Sequence, residues 1–320
     1  MSFDYKDVKD GYERIKNHIR KTPLEESYYL GDENKRYFFK LESFQRAKSF
    51  KIRGALNKMM TLTEEEKYRG IATVSSGNHG SSVSYAASIL GIKNAKVIVP
   101  QNTPQSKIDK IKYFGADVML MGNSYDEAHT LGMAYIQEKG MTYIDAYYSD
   151  PYIYAGQGTI AVEILEQNKD IDTIVVPIGG GGLITGIAVA AKAIKPDIRI
   201  IGVQTEACPA MINSYRDNVF YDEYPSKESL CDALIGGIGK LSYEMAKDYV
   251  DDFLIVTEDS IAKAVSFMAK EEKYICEAGS CTTVAAVMEH RKRIGGENIC
   301  LVLSGGNIDG KILTSILEKF

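Results

Sequence analysis

The chain has no apolar run long enough to span a bilayer, so no membrane-spanning helix is expected. It has no basic block either: 38 Lys and Arg are interspersed with 43 Asp and Glu, for a net charge of −5. That mixture predicts simple solubility and speaks against nucleic acid or anionic lipid as partners. The opening segment MSFDYKDVKDGYERIKNHIRKTP is polar and helical in pattern, and it lacks the apolar centre of a signal peptide. The cysteines, Cys208, Cys231, Cys276, Cys281 and Cys300, are odd in number, irregularly spaced and without a CxxC pair. A disulfide framework or a structural zinc site is therefore not expected, and free thiols fit a reducing, cytoplasmic setting. The histidines, His18, His79, His129 and His290, make no HExxH or HxH pair, which leaves a metallo-hydrolase without ligands. There is no internal repeat, low-complexity stretch or Pro/Gly-rich linker, so any division into domains must come from topology.

What is present is an ordinary globular composition, 45% apolar and 25% charged over 320 residues, enough for one large core or two modest ones. Short β-rich runs alternate with helical patterns. Strands are expected at 37–41, 70–74, 95–100, 116–121, 142–146, 173–178, 199–204, 253–257 and 299–304. Many are nearly continuous Val/Ile/Leu runs, as in strands buried on both faces of a parallel sheet. Val8, Tyr12, Ile15 and Ile19 mark an amphipathic helix. In PQSKIDKIKYFGAD, Pro104 is placed to start a helix, Ile108 and Ile111 share its face, and Gly115 is placed to end it. The expected class is α/β, mostly parallel.

In open α/β sheets, ligands bind where strands end and helices begin. Three junctions stand out. In TVSSGNHGSSVSYAA a strand ends at Val74, and Ser75, Ser76, Gly77, Asn78, His79 and Gly80 open a helix. Hydroxyls, an amide and exposed N–H groups there suit a carboxylate, although the same residues serve equally as a plain N-cap. In VVPIGGGGLITG, Gly179, Gly180, Gly181 and Gly182 follow a buried strand. Backbone N–H groups of such a run can close on a phosphate. Neither register places glycine or alanine at the last position of GxGxxG, and the GK[ST] ending of a P-loop is missing, so NAD and ATP are not indicated. In VLSGGNIDG, Ser304 follows a third buried strand, as a ligand contact or as a cap.

One lysine fits these junctions. Lys51 lies in SFKIRGA between Phe50 and Ile52, with Ser49 expected to cap the helix that follows. A lysine in apolar surroundings loses basicity and becomes a nucleophilic amine. A lysine of that kind, a glycine phosphate cup and a Ser/Asn anion loop together are what a pyridoxal phosphate site requires.

Nearly the whole chain resembles the fold-type II (tryptophan synthase β-like) pyridoxal phosphate enzymes, in the serine/threonine dehydratase and serine racemase branch. The resemblance rests on KLESFQRAKSFKIRGALNKM, SSGNHG, VIVPQNTPQSKIDKIKYFGADV, AGQGTIAVEIL, VPIGGGGLITG and LSGGNID, in that order. It implies two open, mostly parallel sheets flanked by helices, with the cofactor in the cleft between a large domain (1–65 and 148–320) and a smaller mobile one (66–147). It implies that Lys51 holds pyridoxal 5′-phosphate covalently and then acts as the Cα base. Phe50 packs beside the ring, Asn78 bonds its 3′-oxygen, Gly179 to Gly182 cradle the phosphate, and Glu277 lies near the ring. Ser304 meets the pyridine nitrogen. A serine there leaves that nitrogen unprotonated, which favours prompt β-elimination over transamination. Ser75, Ser76, Asn78 and His79 surround the substrate carboxylate, and Ser76 matches the opposite-face acid/base of racemases. The implied activity is deamination of L-threonine or L-serine to a 2-oxo acid and ammonia, in a homodimer. Serine racemase, threo-3-hydroxyaspartate ammonia-lyase and a non-catalytic binding protein for the cofactor remain alternatives.

Several positions depart from the family's pattern. Ala47-Lys48 stands where Thr-Gly is usual, and Lys48 is either a solvated side chain or a second cation for an acidic substrate. AYYSD (146–150) replaces His-Pro-Phe-Asp. Of the residues that bind a divalent cation in some members, Glu206 and the Ala210 carbonyl are matched, but Ile212 takes the aspartate's place, so no metal is expected. The chain ends with LSGGNIDGKILTSILEKF, which predicts no C-terminal regulatory domain.

Overall fold

The computed structural model describes residues 2–320. Among them the strands in chain order are β1 (Leu24–Glu26), β2 (Arg36–Leu41), β3 (Ile71–Val74), β4 (Ala95–Val99), β5 (Asp117–Leu120), β6 (Thr142–Tyr143), β7 (Thr173–Pro177), β8 (Arg199–Thr205), β9 (Asp252–Val256) and β10 (Asn298–Leu303). They form two open sheets, ordered β1-β2-β10-β7-β8-β9 and β5-β4-β3-β6. Every pairing is parallel except β1 with β2. Helices cover the sheets, as an α/β chain with crossover connections requires.

The Val/Ile runs sit where both faces of a strand are covered. Ile174, Val175 and Val176 of β7 are fully buried, as are Leu301, Val302 and Leu303 of β10. Each such side chain contributes about 1.5–3 kcal/mol of hydrophobic stabilisation. The expected helix at Pro104 is present as Gln105–Tyr113, with Pro104 at its cap, Ile108 and Ile111 buried, and Gly115 at φ +105°.

Two elements differ from expectation. β1 is only Leu-Glu-Glu on the sheet edge, too short and too exposed for any apolar period. β6 stops after Tyr143 rather than running to 146. The Asp145 carboxylate ends it by accepting the backbone N–H groups of Tyr147, Tyr148, Ser149 and Asp150 (2.7–3.2 Å), which bends the chain into a turn.

The helix Lys51–Met59 lies against the helix Pro151–Gln167 with almost no gap. A Cβ on Gly54 would come within 2.4 Å of Gln157 Nε2, and one on Gly156 within 2.6 Å of the Gly54 Cα. Only glycine permits this approach, and it seats the lysine helix on the six-stranded unit.

Candidate active site

The C-terminal ends of β3, β7 and β10 open into a single cleft of about 1970 Å³, lined by residues from both sheet units. The three junctions singled out in the sequence, together with Lys51, all line it.

Lys51 is the first residue of its helix and is half-buried. Its Nζ donates to the Ala146 carbonyl (3.0 Å) and lies 5.3 Å from the Phe50 ring centre and 5.6 Å from that of Tyr147. Burial lowers its pKa to about 8, against an upward pull from Asp145 and Glu277. About half of the amine is thus unprotonated near pH 8, where an ordinary lysine is almost wholly charged. Ser49 is not the cap: Phe50 occupies that position, and Ser49 Oγ only accepts a long 3.4 Å contact from the Lys51 N–H. Ser49 instead bridges to Gly305, which ties the lysine segment to the end of β10.

The glycine run leads from β7 into the helix Gly182–Ile194, capped by Gly181 at φ +91° with no side-chain bond to the first-turn N–H groups. Those donors are left for a ligand. A Cβ on Gly180 would fall 2.1 Å from the Tyr147 ring, and one on Gly181 would fall 2.5 Å from Met211 Cε and Ser242 Oγ. Tyr154 holds this arrangement: its hydroxyl bonds the Tyr147 carbonyl and lies 2.9 Å from Ser242 Oγ.

The serine loop behaves alike. Gly77 caps the helix Asn78–Ile89 without a side-chain bond, so Ser75 and Asn78 are not its caps. Ser75 Oγ accepts the Gly77 N–H (3.3 Å), and Ser76 is half-buried at the cleft wall. His79 is buried, with Nε2 3.0 Å from the Ile144 carbonyl. That contact makes Nε2 the donor and Nδ1 the acceptor. Nδ1 is buried with no partner among the described residues. Burial, then the nearby Lys51, lowers the His79 pKa to about 4, so the ring stays neutral.

Glu277 and Asn78 meet across the cleft. The Asn78 amide donates to both Glu277 oxygens (2.9 and 3.0 Å), and Asn307 donates to Asn78 Oδ1 (2.6 Å) and, from its backbone, to Glu277 (3.2 Å). The Lys110 ammonium bonds Asn307 Oδ1. Burial raises the pKa of Glu277, with the Asn78 bond opposing it. Ser304 is buried at the end of β10 with its Oγ 3.0 Å from Ser280 Oγ. It caps nothing, because the next helix begins only at Gly310 behind its own cap, Asp309.

Lys48 does not line the cleft. Its side chain is exposed, with Nζ 5.9 Å from the Phe44 ring centre, and its backbone holds φ +60°, a conformation that favours glycine. Glu206 is exposed and accepts the Glu258 N–H (3.1 Å), Ala210 opens a helix, and Ile212 brings no oxygen. No cluster of three His, Cys, Asp or Glu among the described residues could hold a metal ion.

Asp145, Tyr147, Tyr154, Ser242, Ser280 and Asn307 were not singled out individually in the sequence. Asn307 lies inside LSGGNID and Tyr147 inside AYYSD, so the motifs marked the segments without marking the side chains.

The residues fit pyridoxal phosphate: an amine of lowered basicity, a glycine cradle that side chains would fill, and an orphaned imidazole acceptor share one cleft. Comparison with known proteins agrees. Residues 15–305 match the model of the pyridoxal-phosphate dependent enzyme family, and the chain belongs to that family. It is 39% identical to an L-threonine ammonia-lyase of Thermotoga maritima, over 98% of this chain and 78% of that protein. It is 37% identical to a catabolic L-threonine dehydratase of Staphylococcus aureus, over 98% and 91%. The fold superposes on maize serine racemase with a TM-score of 0.92 at 33% identity, covering 100% of this chain and 98% of that one. No helix among the described residues is long and apolar enough to cross a membrane.

Proposed function

We propose that this protein is a pyridoxal phosphate-dependent ammonia-lyase that converts L-threonine or L-serine to a 2-oxo acid and ammonia. The observation that carries the reading is the Lys51 amine, lowered to about 8 by burial and set in the cleft beside the glycine run and the serine loop. When bound, the cofactor supplies an electron-withdrawing ring that acidifies the substrate's α-hydrogen. Lys51 would hold the cofactor through its amine and, once displaced, would hold the Cα proton on Nζ. The free N–H groups at Gly181–Gly182 would take the phosphate, and Ser304, with Ser280 behind it, would serve the ring nitrogen. Asn78 and Glu277 would hold the ring edge. Ser75, Ser76 and the N-terminus of the helix Asn78–Ile89 take the substrate carboxylate, beside a His79 that stays uncharged. The four-stranded unit, near 66–147, acts as a small domain that closes over the cleft and excludes water. The protein works as a homodimer in the cytoplasm.

Purified protein with pyridoxal phosphate is assayed for 2-oxo acid from L-threonine, L-serine and L-threo-3-hydroxyaspartate, beside Lys51→Ala. Product from the wild type alone supports the lyase, and silence on all three substrates removes it. Ser76 sustains a second reading, racemisation, because its hydroxyl has no hydrogen-bond partner among the described residues and is free to carry a proton. Recovered serine without the D-enantiomer would discard it.

A further inference from the structure

Behind the lysine helix lies a buried charge network, none of whose charged residues lines the cleft. Arg53 is fully buried, and every N–H of its guanidinium is engaged. Nε and Nη2 donate to the two oxygens of Glu42 (2.8 and 2.7 Å), Nη1 and Nη2 to those of Glu163 (2.8 and 2.9 Å), and Nη1 also to Thr159 Oγ1 (3.2 Å). Lys40 Nζ completes the group with bonds to Glu163 (2.7 Å), the Thr22 carbonyl (2.8 Å) and Gln167 (2.9 Å). Two cations face two carboxylates, and each of these four side chains is at most 1% exposed.

Burial of such a network is weak evidence for stability, since apolar packing of equal volume holds a fold as well or better. What a fork of fixed donors adds is direction. An α-helix turns about 100° per residue, so Lys51 and Arg53 leave the helix on nearly opposite sides. A lysine amine stands roughly 8 Å from the helix axis, so a roll of about 7° moves it by about 1 Å. A shift of about 1 Å costs a positioned reaction on the order of a hundredfold.

We propose that Arg53, clamped between Glu42 and Glu163, is a positioning residue that fixes the roll of the lysine helix and so aims the Lys51 amine. Glu42 follows β2 directly and Glu163 belongs to the helix Pro151–Gln167, so the aim is set by the six-stranded unit. The Gly54–Gly156 contact sets how near the helix lies, and Arg53 sets how it is turned.

The inference rests on the proposed lyase activity, and wild-type holoenzyme separates the two: a wild type without turnover refutes the activity, not the clamp. Arg53→Lys keeps the charge and loses the fork. Expected are a kcat at least tenfold lower, a KM for L-threonine within threefold, and a matching fall in borohydride trapping of pyridoxal phosphate on Lys51. Glu272→Gln is the control for destabilisation alone. Glu272 is buried, accepts the Ser27 hydroxyl and lies outside the network, so its kcat is expected within twofold of wild type. If Arg53→Lys does not fold, Glu163→Gln, which keeps the shape and removes one charge, is expected to act in the same direction. A folded Arg53→Lys or Glu163→Gln with kcat and trapping within twofold of wild type would overturn the clamp. So would an equal kcat loss in Glu272→Gln.

Discussion

Lys40 and Lys51 are both lysines out of free solvent, and burial lowers the pKa of each. Their surroundings differ in one respect. Lys40 spends all three of its N–H donors on Thr22, Glu163 and Gln167. Lys51 has one acceptor, the Ala146 carbonyl, and two aromatic faces. A saturated ammonium has every donor taken and serves as part of the frame. An unsaturated one loses a proton readily and keeps room for a new partner. The same contrast runs through the carboxylates: Glu163 is filled by Arg53 and Lys40, whereas Glu277 faces the cleft with amide partners only.

The largest way to break this contrast is substitution of each lysine. Lys51→Ala should cut 2-oxo acid formation by at least ~10³-fold with little change in melting temperature, because loss of the nucleophile removes the chemistry and not the frame. Lys40→Ala should do the reverse, costing about 3–5 kcal/mol of stability in denaturant titration by leaving a buried carboxylate under-compensated. A Lys40→Ala variant as stable as wild type would refute the structural role.

Next in size is Gly180→Ala, whose Cβ would fall 2.1 Å from the Tyr147 ring. It should weaken pyridoxal phosphate binding about tenfold or more, read by fluorescence titration, since the loop or Tyr147 must move.

Titration sharpens the contrast further. The pKa of Lys51 is about 8 folded against 10.5 as a model lysine. Between those values the unfolded chain binds more protons, so this group's contribution to stability rises with pH and is least favourable below pH 8. The stability difference between cofactor-free wild type and Lys51→Met should therefore narrow as pH rises from 8 to 10.5. His79, about 4 folded against 6.5, gives the same sign lower down: stability is lost as pH falls from 6.5 to 4. A His79→Gln variant should lack that loss.

The smallest effect is expected at Lys48. Lys48→Gly relieves a left-handed conformation, worth up to about 1 kcal/mol, and leaves substrate preference unchanged, because the side chain does not line the cleft. A selective loss of activity on 3-hydroxyaspartate would contradict this placement.

The fold and the junctions were legible because each pairs a buried Val/Ile strand with small polar residues at its end, a pattern carried within a dozen neighbouring positions. Lys51 was legible through its apolar neighbours. The clamp was not. Arg53 and Glu163 are distant in sequence and read as ordinary helical charges, and Lys40 hides in an apolar strand. Ser304 and Ser49 were open to reading as caps because Ser before a helix usually is one. The helix after β10 starts later, and Phe50 holds the cap position of the other. β6 was overestimated because a carboxylate that collects four following N–H groups leaves no periodic trace.

Borohydride reduction of the holoenzyme followed by peptide mass mapping reads directly which lysine carries the cofactor. The pyridoxyl phosphate mass is expected on the peptide containing Lys51 and not on that of Lys40. Label on another lysine, or no label at all, would contradict it.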